Sequence, residues 1–165
     1  MGTRHLTKVI DKDNVTRIAQ YGQWDGYPEY TGKRILEFIS EHLIIDKIEK
    51  SLSKAEFVSD EYVQQVYDKM TRDSDFSIEY PSLTRDTGCD ILRVLVYSNG
   101  PIPLVDSSEF ENDSLFCEGV YTINYNSRTF TSTYGDYTVT VDFDKLPTSE
   151  EYLKSFQKVL TESVA

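Results

Sequence analysis

The sequence predicts an α+β fold, a single domain over residues 1–165 in which a mainly antiparallel sheet packs with about four helices. The prediction rests on where two hydrophobic periodicities fall. Runs that alternate every second residue occupy both ends of the chain, as an N-terminal hairpin and a C-terminal meander, while helix-period patterns occupy the middle and the last segment. The length suits one core and is short for two.

Residues 6–10 and 15–21 read as two strands around the polar turn Asp11-Lys12-Asp13-Asn14, which makes the N-terminal hairpin. The loop Gln23-Trp24-Asp25-Gly26-Tyr27-Pro28 follows directly. It brings the only tryptophan together with an acid, a permissive glycine and a rigid proline. Beyond Gly32, apolar residues Ile35, Leu36, Phe38 and Ile39, then Leu43 and Ile44, recur at helical spacing. A helix is therefore expected from about residue 31 to residue 41.

Residues 45–70 are charged and mixed, with Tyr62, Val63, Val66 and Tyr67 on one face of a helix after Ser59-Asp60; the stretch reads as a solvated, partly helical excursion. A third helix is expected over residues 86–97, with Ile91, Leu92, Leu95 and Val96 inward and Asn99-Gly100-Pro101 ending it. Its first turn would contain Arg85-Asp86-Thr87-Gly88.

Strands follow at 103–105, 116–124, 129–134 and 137–143. The last three form an antiparallel meander around Tyr125-Asn126-Ser127-Arg128 and Gly135-Asp136. Pro147 ends the final strand. Thr148 and Glu151 form a capping box for a terminal helix whose apolar stripe is Leu153, Phe156, Val159 and Leu160.

A net charge of −11 argues against direct nucleic-acid binding and against an anionic membrane, because phosphate-rich surfaces reward Lys and Arg. No apolar run approaches the roughly 20 residues needed to cross a bilayer. Two cysteines do not make a disulfide framework, and the chain does not start with a basic n-region and an apolar h-region. These features predict a cytoplasmic protein with free thiols. No cofactor motif is present, neither G-x-x-x-x-G-K-[ST] nor G-x-G-x-x-G. No cysteine or histidine has zinc spacing, so neither a cofactor nor a metal is expected. Oligomeric state is left open, a homo-oligomer included.

Four ordered motifs stand out: Gly2-Thr3-Arg4, Tyr21 to Pro28 in the pattern Tyr-x-x-x-Asp-Gly-Tyr-Pro, Arg85-Asp86-Thr87-Gly88, and Asp113-Ser114-Leu115-Phe116-Cys117-Glu118. On these motifs the chain resembles a family of small proteins of bacteria and their phages to which no activity is attached. One departure is Gly119, where such sequences often carry a large aromatic residue. The resemblance implies an accessory role in phage–host conflict, such as anti-defence by sequestering a nucleotide signal in the host cytoplasm.

Arg4 and Arg85 each offer a planar fork to a carboxylate or phosphate, and Trp24 and Tyr27 offer rings. The expected ligand-binding set is Arg4, Gln23, Trp24, Asp25, Tyr27, Arg85, Asp86 and Thr87, around one concavity with Glu118 on an adjacent strand. Its ligand would be a small anionic or nucleotide-like molecule. An enzyme reading keeps the same pocket and gives proton transfer to Asp25, Asp86 or Glu118, as in a hydrolase or transferase. Cys117 would need a base, and His5 is the candidate. A further reading is an acidic protein-interaction module that uses Tyr121, Tyr125, Tyr134 and Tyr137.

Overall fold

The computed structural model describes residues 2–70 and 75–164, and it shows the expected α+β architecture. Strands β1 (His5–Ile10) and β2 (Thr16–Gly22) form the hairpin. The Asp11 carboxylate holds their turn by accepting from the Asp13 and Val15 amides at 2.9 Å, and Asn14 takes the left-handed conformation at φ 64°.

A π-helical turn at Pro28–Gly32 leads into α1 (Lys33–Ile39), which buries Ile35, Leu36, Phe38 and Ile39 as the spacing predicted. Helix α2 (Ile44–Ser51) follows. It corrects the reading of residues 45–70 as a solvated, partly helical excursion, because Ile48 sits in the core and Leu52 closes the same face. The helix is mostly charged but its few apolar residues fall on one stripe, and burial follows that stripe rather than the average polarity.

Next come β3 (Ala55–Phe57) and α3 (Asp60–Lys69), whose amino end is capped by Ser59 accepting from the Tyr62 amide at 3.1 Å. No residue of α3 is buried, so the excursion reading holds for this half. A short α4 (Phe76–Glu79) follows.

The helix expected from residue 86 begins later, as α5 (Ile91–Tyr97) behind a 3₁₀ turn at Gly88–Asp90. Gly88 has φ 51°, a left-handed conformation that a continuing right-handed helix cannot contain. Arg85 to Gly88 is therefore a turn before the helix rather than its first turn. Strand β4 (Ile102–Leu104) leaves the predicted order as well, pairing parallel with β3 in a separate two-stranded sheet.

Strands β5 (Gly119–Asn124), β6 (Thr129–Tyr134) and β7 (Tyr137–Asp142) form the meander, and α6 (Ser149–Val164) follows them. The capping box at its start is present: the Thr148 hydroxyl accepts from the Glu151 amide at 3.2 Å and donates to the Glu151 carboxylate at 3.1 Å. Tyr152 and Phe156 are its buried residues, while the side chains of Val159 and Leu160 lie outside the described residues.

Hairpin and meander join into one sheet of order β2-β1-β5-β6-β7 through a parallel β1–β5 pair, with Thr7 opposite Tyr121 and Val9 opposite Ile123. One face of this sheet carries Val9, Ile18, Tyr121, Ile123, Phe130 and Val139 into a core shared with α1, α2, α5 and α6. Tyr152 stacks on Phe130 at 6.1 Å and donates to the Ser132 hydroxyl at 2.6 Å. On the opposite face, the segment before β5 covers Leu6 and Ala19. Phe110 meets Tyr21 edge-on at 4.9 Å, and Lys8 pairs with Glu111 at 2.9 Å.

Candidate cleft at the Trp24 loop

The turn before α5 packs against β1 and the end of β2, which the antiparallel hairpin holds side by side, and the Trp24 loop follows β2 directly at that place. Three hydrogen bonds to main-chain groups anchor the loop. The Gly26 amide donates to the Thr3 carbonyl at 2.9 Å, the Tyr121 hydroxyl donates to the Gly26 carbonyl at 2.6 Å, and the Gln23 amide donates to the Arg85 carbonyl at 3.0 Å. Asp25 sits between these anchors at φ 57°, a conformation that non-glycine residues adopt at a cost. Thr31 braces it by donating to the Asp25 carbonyl at 2.6 Å.

Gly119 belongs to the same support. A Cβ there would lie 2.6 Å from the Gly26 carbonyl oxygen and 2.9 Å from the Tyr121 ring, so the loop's approach to β5 requires glycine at the one position that departs from the resembled pattern.

The result is a cleft of about 70 Å³ lined by Gly22, Gln23, Trp24, Asp25, Tyr30, Thr31, Asp86, Thr87, Gly88, Cys89, Asp90 and, at its floor, His5. Trp24 is half exposed and donates its indole N–H to the Asp86 carboxylate at 3.0 Å. His5 is only 2% exposed, and its ring lies against the backbones of Gly22 and Gly88, which themselves approach each other closely. A Cβ on Gly22 would come within 2.3 Å of the imidazole, so the ring occupies space that only glycine leaves open.

His5 Nδ1 lies 3.4 Å from the Thr3 carbonyl, an acceptor, which assigns the proton to Nδ1. Nε2 is buried without a partner among the described residues. Burial lowers the His5 pKa, against smaller opposing effects of the Thr3 carbonyl and the Asp25 charge, so the imidazole is neutral and Nε2 presents a bare lone pair.

Of the residues the sequence singled out, Gln23, Trp24, Asp25, Asp86 and Thr87 line this cleft. Tyr27 stands outside the lining and donates its hydroxyl to Asp25 at 3.2 Å, a bond that raises the tyrosine pKa. Arg85 faces a neighbouring groove of about 210 Å³ with Gln20, Tyr21, Ser82 and Thr84. The Gln23–Arg85 main-chain bond separates the two spaces, so the consecutive residues Arg85 and Asp86 line different ones.

Arg4 lies over the Phe116 ring at 5.0 Å, and its carbonyl accepts from the Glu118 amide at 3.0 Å. Glu118 and Cys117 line a third groove. The expected gathering of Arg4, Asp25, Arg85 and Glu118 around one concavity is therefore not found: Asp25, Arg85 and Glu118 line three separate spaces and Arg4 lines none of the three.

The two thiols are free. Burial pushes the Cys89 thiol up to about 12, and burial together with Glu111, Asp113 and Glu118 pushes Cys117 up to about 11. His5 and Cys117 line different spaces, so the sequence pairing of this base with this thiol is not realised. Among the described residues no three His, Cys, Asp or Glu side chains are grouped to hold a metal ion, and no helix is long and apolar enough to cross a membrane.

His5, Gly22, Tyr30, Thr31, Cys89 and Asp90 are the lining residues that sequence reasoning did not place in the site. The available signal was the pair of glycines, Gly22 at a strand end and Gly88 before a helix, where close backbone approach is a standard reason for glycine. Comparison with protein-family models, with curated proteins and with solved structures finds no match for this chain.

Proposed function

We propose that the protein binds a small nucleotide-like molecule at the Trp24 cleft. The observation that carries this reading is the pairing of a half-exposed Trp24 ring with a buried, unpartnered His5 Nε2 in one lined space. Ligand pockets typically enclose about 300–1,000 Å³, so a 70 Å³ cleft takes in one polar edge of a ligand and leaves the remainder on the tryptophan. Base–aromatic stacking suits such a division. No Lys or Arg lines the cleft, so a phosphate has Arg85, in the adjoining groove, as its available cation. The accessory role implied by the resemblance, sequestering a nucleotide signal, belongs to the same proposal.

The test is a panel of nucleosides, mononucleotides, cyclic dinucleotides and ADP-ribose-type compounds, followed by thermal shift and by Trp24 fluorescence. A binder raises the melting temperature by mass action and changes the emission of the only tryptophan. Trp24→Ala is expected to abolish both responses while the variant stays folded. Silence of the folded protein across the whole panel overturns the reading.

A second reading, hydrolysis or group transfer on the same ligand, is favoured by one observation: neutral His5 has the lone pair of a general base. Recovery of the ligand after denaturation separates the two. Intact ligand means a binder. Product in excess of protein, lost in Asp25→Asn with binding retained, means an enzyme.

A further inference from the structure

We infer that the cleft reads a guanidine-type N–H edge, the N1–H and N2–H₂ pair of a guanine ring being the form that fits it best. The inference rests on the binding reading above and follows from which hydrogen-bonding roles the lining has left to offer. The Thr31 and Thr87 hydroxyls have both committed their protons to carbonyls, of Asp25 at 2.6 Å and of Pro81 at 2.5 Å, so they can only accept. His5 Nε2 is a buried acceptor with no partner. Asp86 spends Oδ1 on the Trp24 indole, and its second oxygen has no partner among the described residues. Asp25 likewise spends Oδ1 on Tyr27.

Asp90 differs from the other acids. Arg34 engages both of its oxygens, at 2.6 and 3.3 Å, so it is already neutralised. The cleft therefore presents several acceptors with spare capacity. A ligand edge made of donors satisfies them, whereas an edge that carries an acceptor is repelled.

One lining side chain supplies the opposite role. Gln23 accepts the Tyr21 hydroxyl on Oε1 at 2.5 Å, and this assigns its amide N–H₂ as an available donor. A guanine edge offers two donor groups followed by the O6 acceptor, matching carboxylate, imidazole and amide in kind. Adenine offers an amino donor beside a bare N1, which would face an acceptor. Inosine lacks N2–H₂. A free alkylguanidinium has the donors and no O6, and it matches all but Gln23.

The experiment is calorimetric titration of the full chain with guanosine, inosine, adenosine, methylguanidinium and methylammonium, each at matched ionic strength. Guanosine is expected to bind at least about tenfold tighter than inosine and adenosine, the size of one hydrogen bond to a charged acceptor. If methylguanidinium binds over methylammonium while guanosine is silent, the donor edge stands and its source is a guanidinium rather than a base. Equal binding of guanosine, inosine and adenosine, with methylguanidinium silent, overturns the edge inference and leaves ligand binding intact. Silence of every compound here and in the wider panel overturns both.

Two variants assign the residues. His5→Phe keeps a planar ring against the two glycines and removes the acceptor, so guanosine affinity is expected to fall about tenfold with the melting temperature held. Unchanged affinity removes His5 from the site. Asp86→Asn lies on an exposed turn and tests the carboxylate even if the His5 variant fails to fold. It is expected to erase the preference for guanosine over inosine, and a preference that survives overturns the role of Asp86.

Discussion

At the scale of single residues, two buried side-chain polar atoms among the described residues have no partner, His5 Nε2 and Thr7 Oγ1, and the two make opposite predictions. Thr7 is fully buried on β1 opposite Tyr121 and is not among the residues that line the cleft. Thr7→Val keeps the shape and removes the orphan hydroxyl. It is expected to be neutral or to stabilise by about 1 kcal/mol in chemical denaturation, and a clear loss of stability would mean that the hydroxyl is satisfied.

His5 is charged less readily when folded than when unfolded. Its folded pKa lies below 6.5, so the unfolded chain binds the proton first, and stability falls as pH drops below 6.5 until the folded pKa is reached. The titratable groups that line the cleft with His5 are Asp25, Asp86, Asp90, Tyr30 and Cys89, and Tyr121 meets the ring edge-on. Asp25 opposes the shift without reversing it. Denaturant midpoints are therefore expected to decline from pH 7 to pH 5 in the wild type and to decline less in His5→Phe. Parallel profiles would remove His5 as the cause.

At the scale of elements, α2 and α3 separate two things that their sequences make look alike. Both are charged helices in the same stretch, yet Ile48 is 0% exposed whereas no residue of α3 is buried. Ile48→Ala is expected to cost about 2–5 kcal/mol through lost burial and the cavity left behind. Val63→Ala on α3 is expected to change stability by less than about 0.5 kcal/mol, as at a surface position. Equal costs, measured by urea denaturation, would contradict the packing described. The loop elements behave differently from both, because Asn14, Asp25, Leu43 and Arg128 hold left-handed conformations that side-chain and main-chain hydrogen bonds sustain rather than burial alone.

At the scale of the whole molecule, a net charge of −11 acts against compactness through self-repulsion. The ion pairs Lys33–Glu37, Arg128–Asp144 and Lys154–Glu150 are exposed, and exposed pairs contribute little. Raising sodium chloride from about 10 to 150 mM shortens the screening length from about 30 to 8 Å, so the melting temperature is expected to rise. A fall would show that attractive pairs outweigh the net charge. The same acidity surrounds Cys117, whose thiol is held at about 11 by burial and by three neighbouring carboxylates.

What the sequence determined by itself is local. The strand and helix periods, the turns at residues 11–14 and 125–128 and the Thr148–Glu151 box were legible, because each depends on residues within a few positions of one another. The Trp24 loop and its partners Gln23, Asp25, Asp86 and Thr87 were legible as candidates from residue type alone. Tertiary structure decided what no local pattern encodes: the parallel β1–β5 seam, the pairing of β3 with β4, and the placing of Asp25, Arg85 and Glu118 in different grooves, with Arg4 over the Phe116 ring. It also decided that His5 forms the floor of the cleft. Strand alternation gives a residue a face, but which other chain segment meets that face depends on contacts far apart in sequence, here with Gly22 and Gly88, and only the folded chain brings those together.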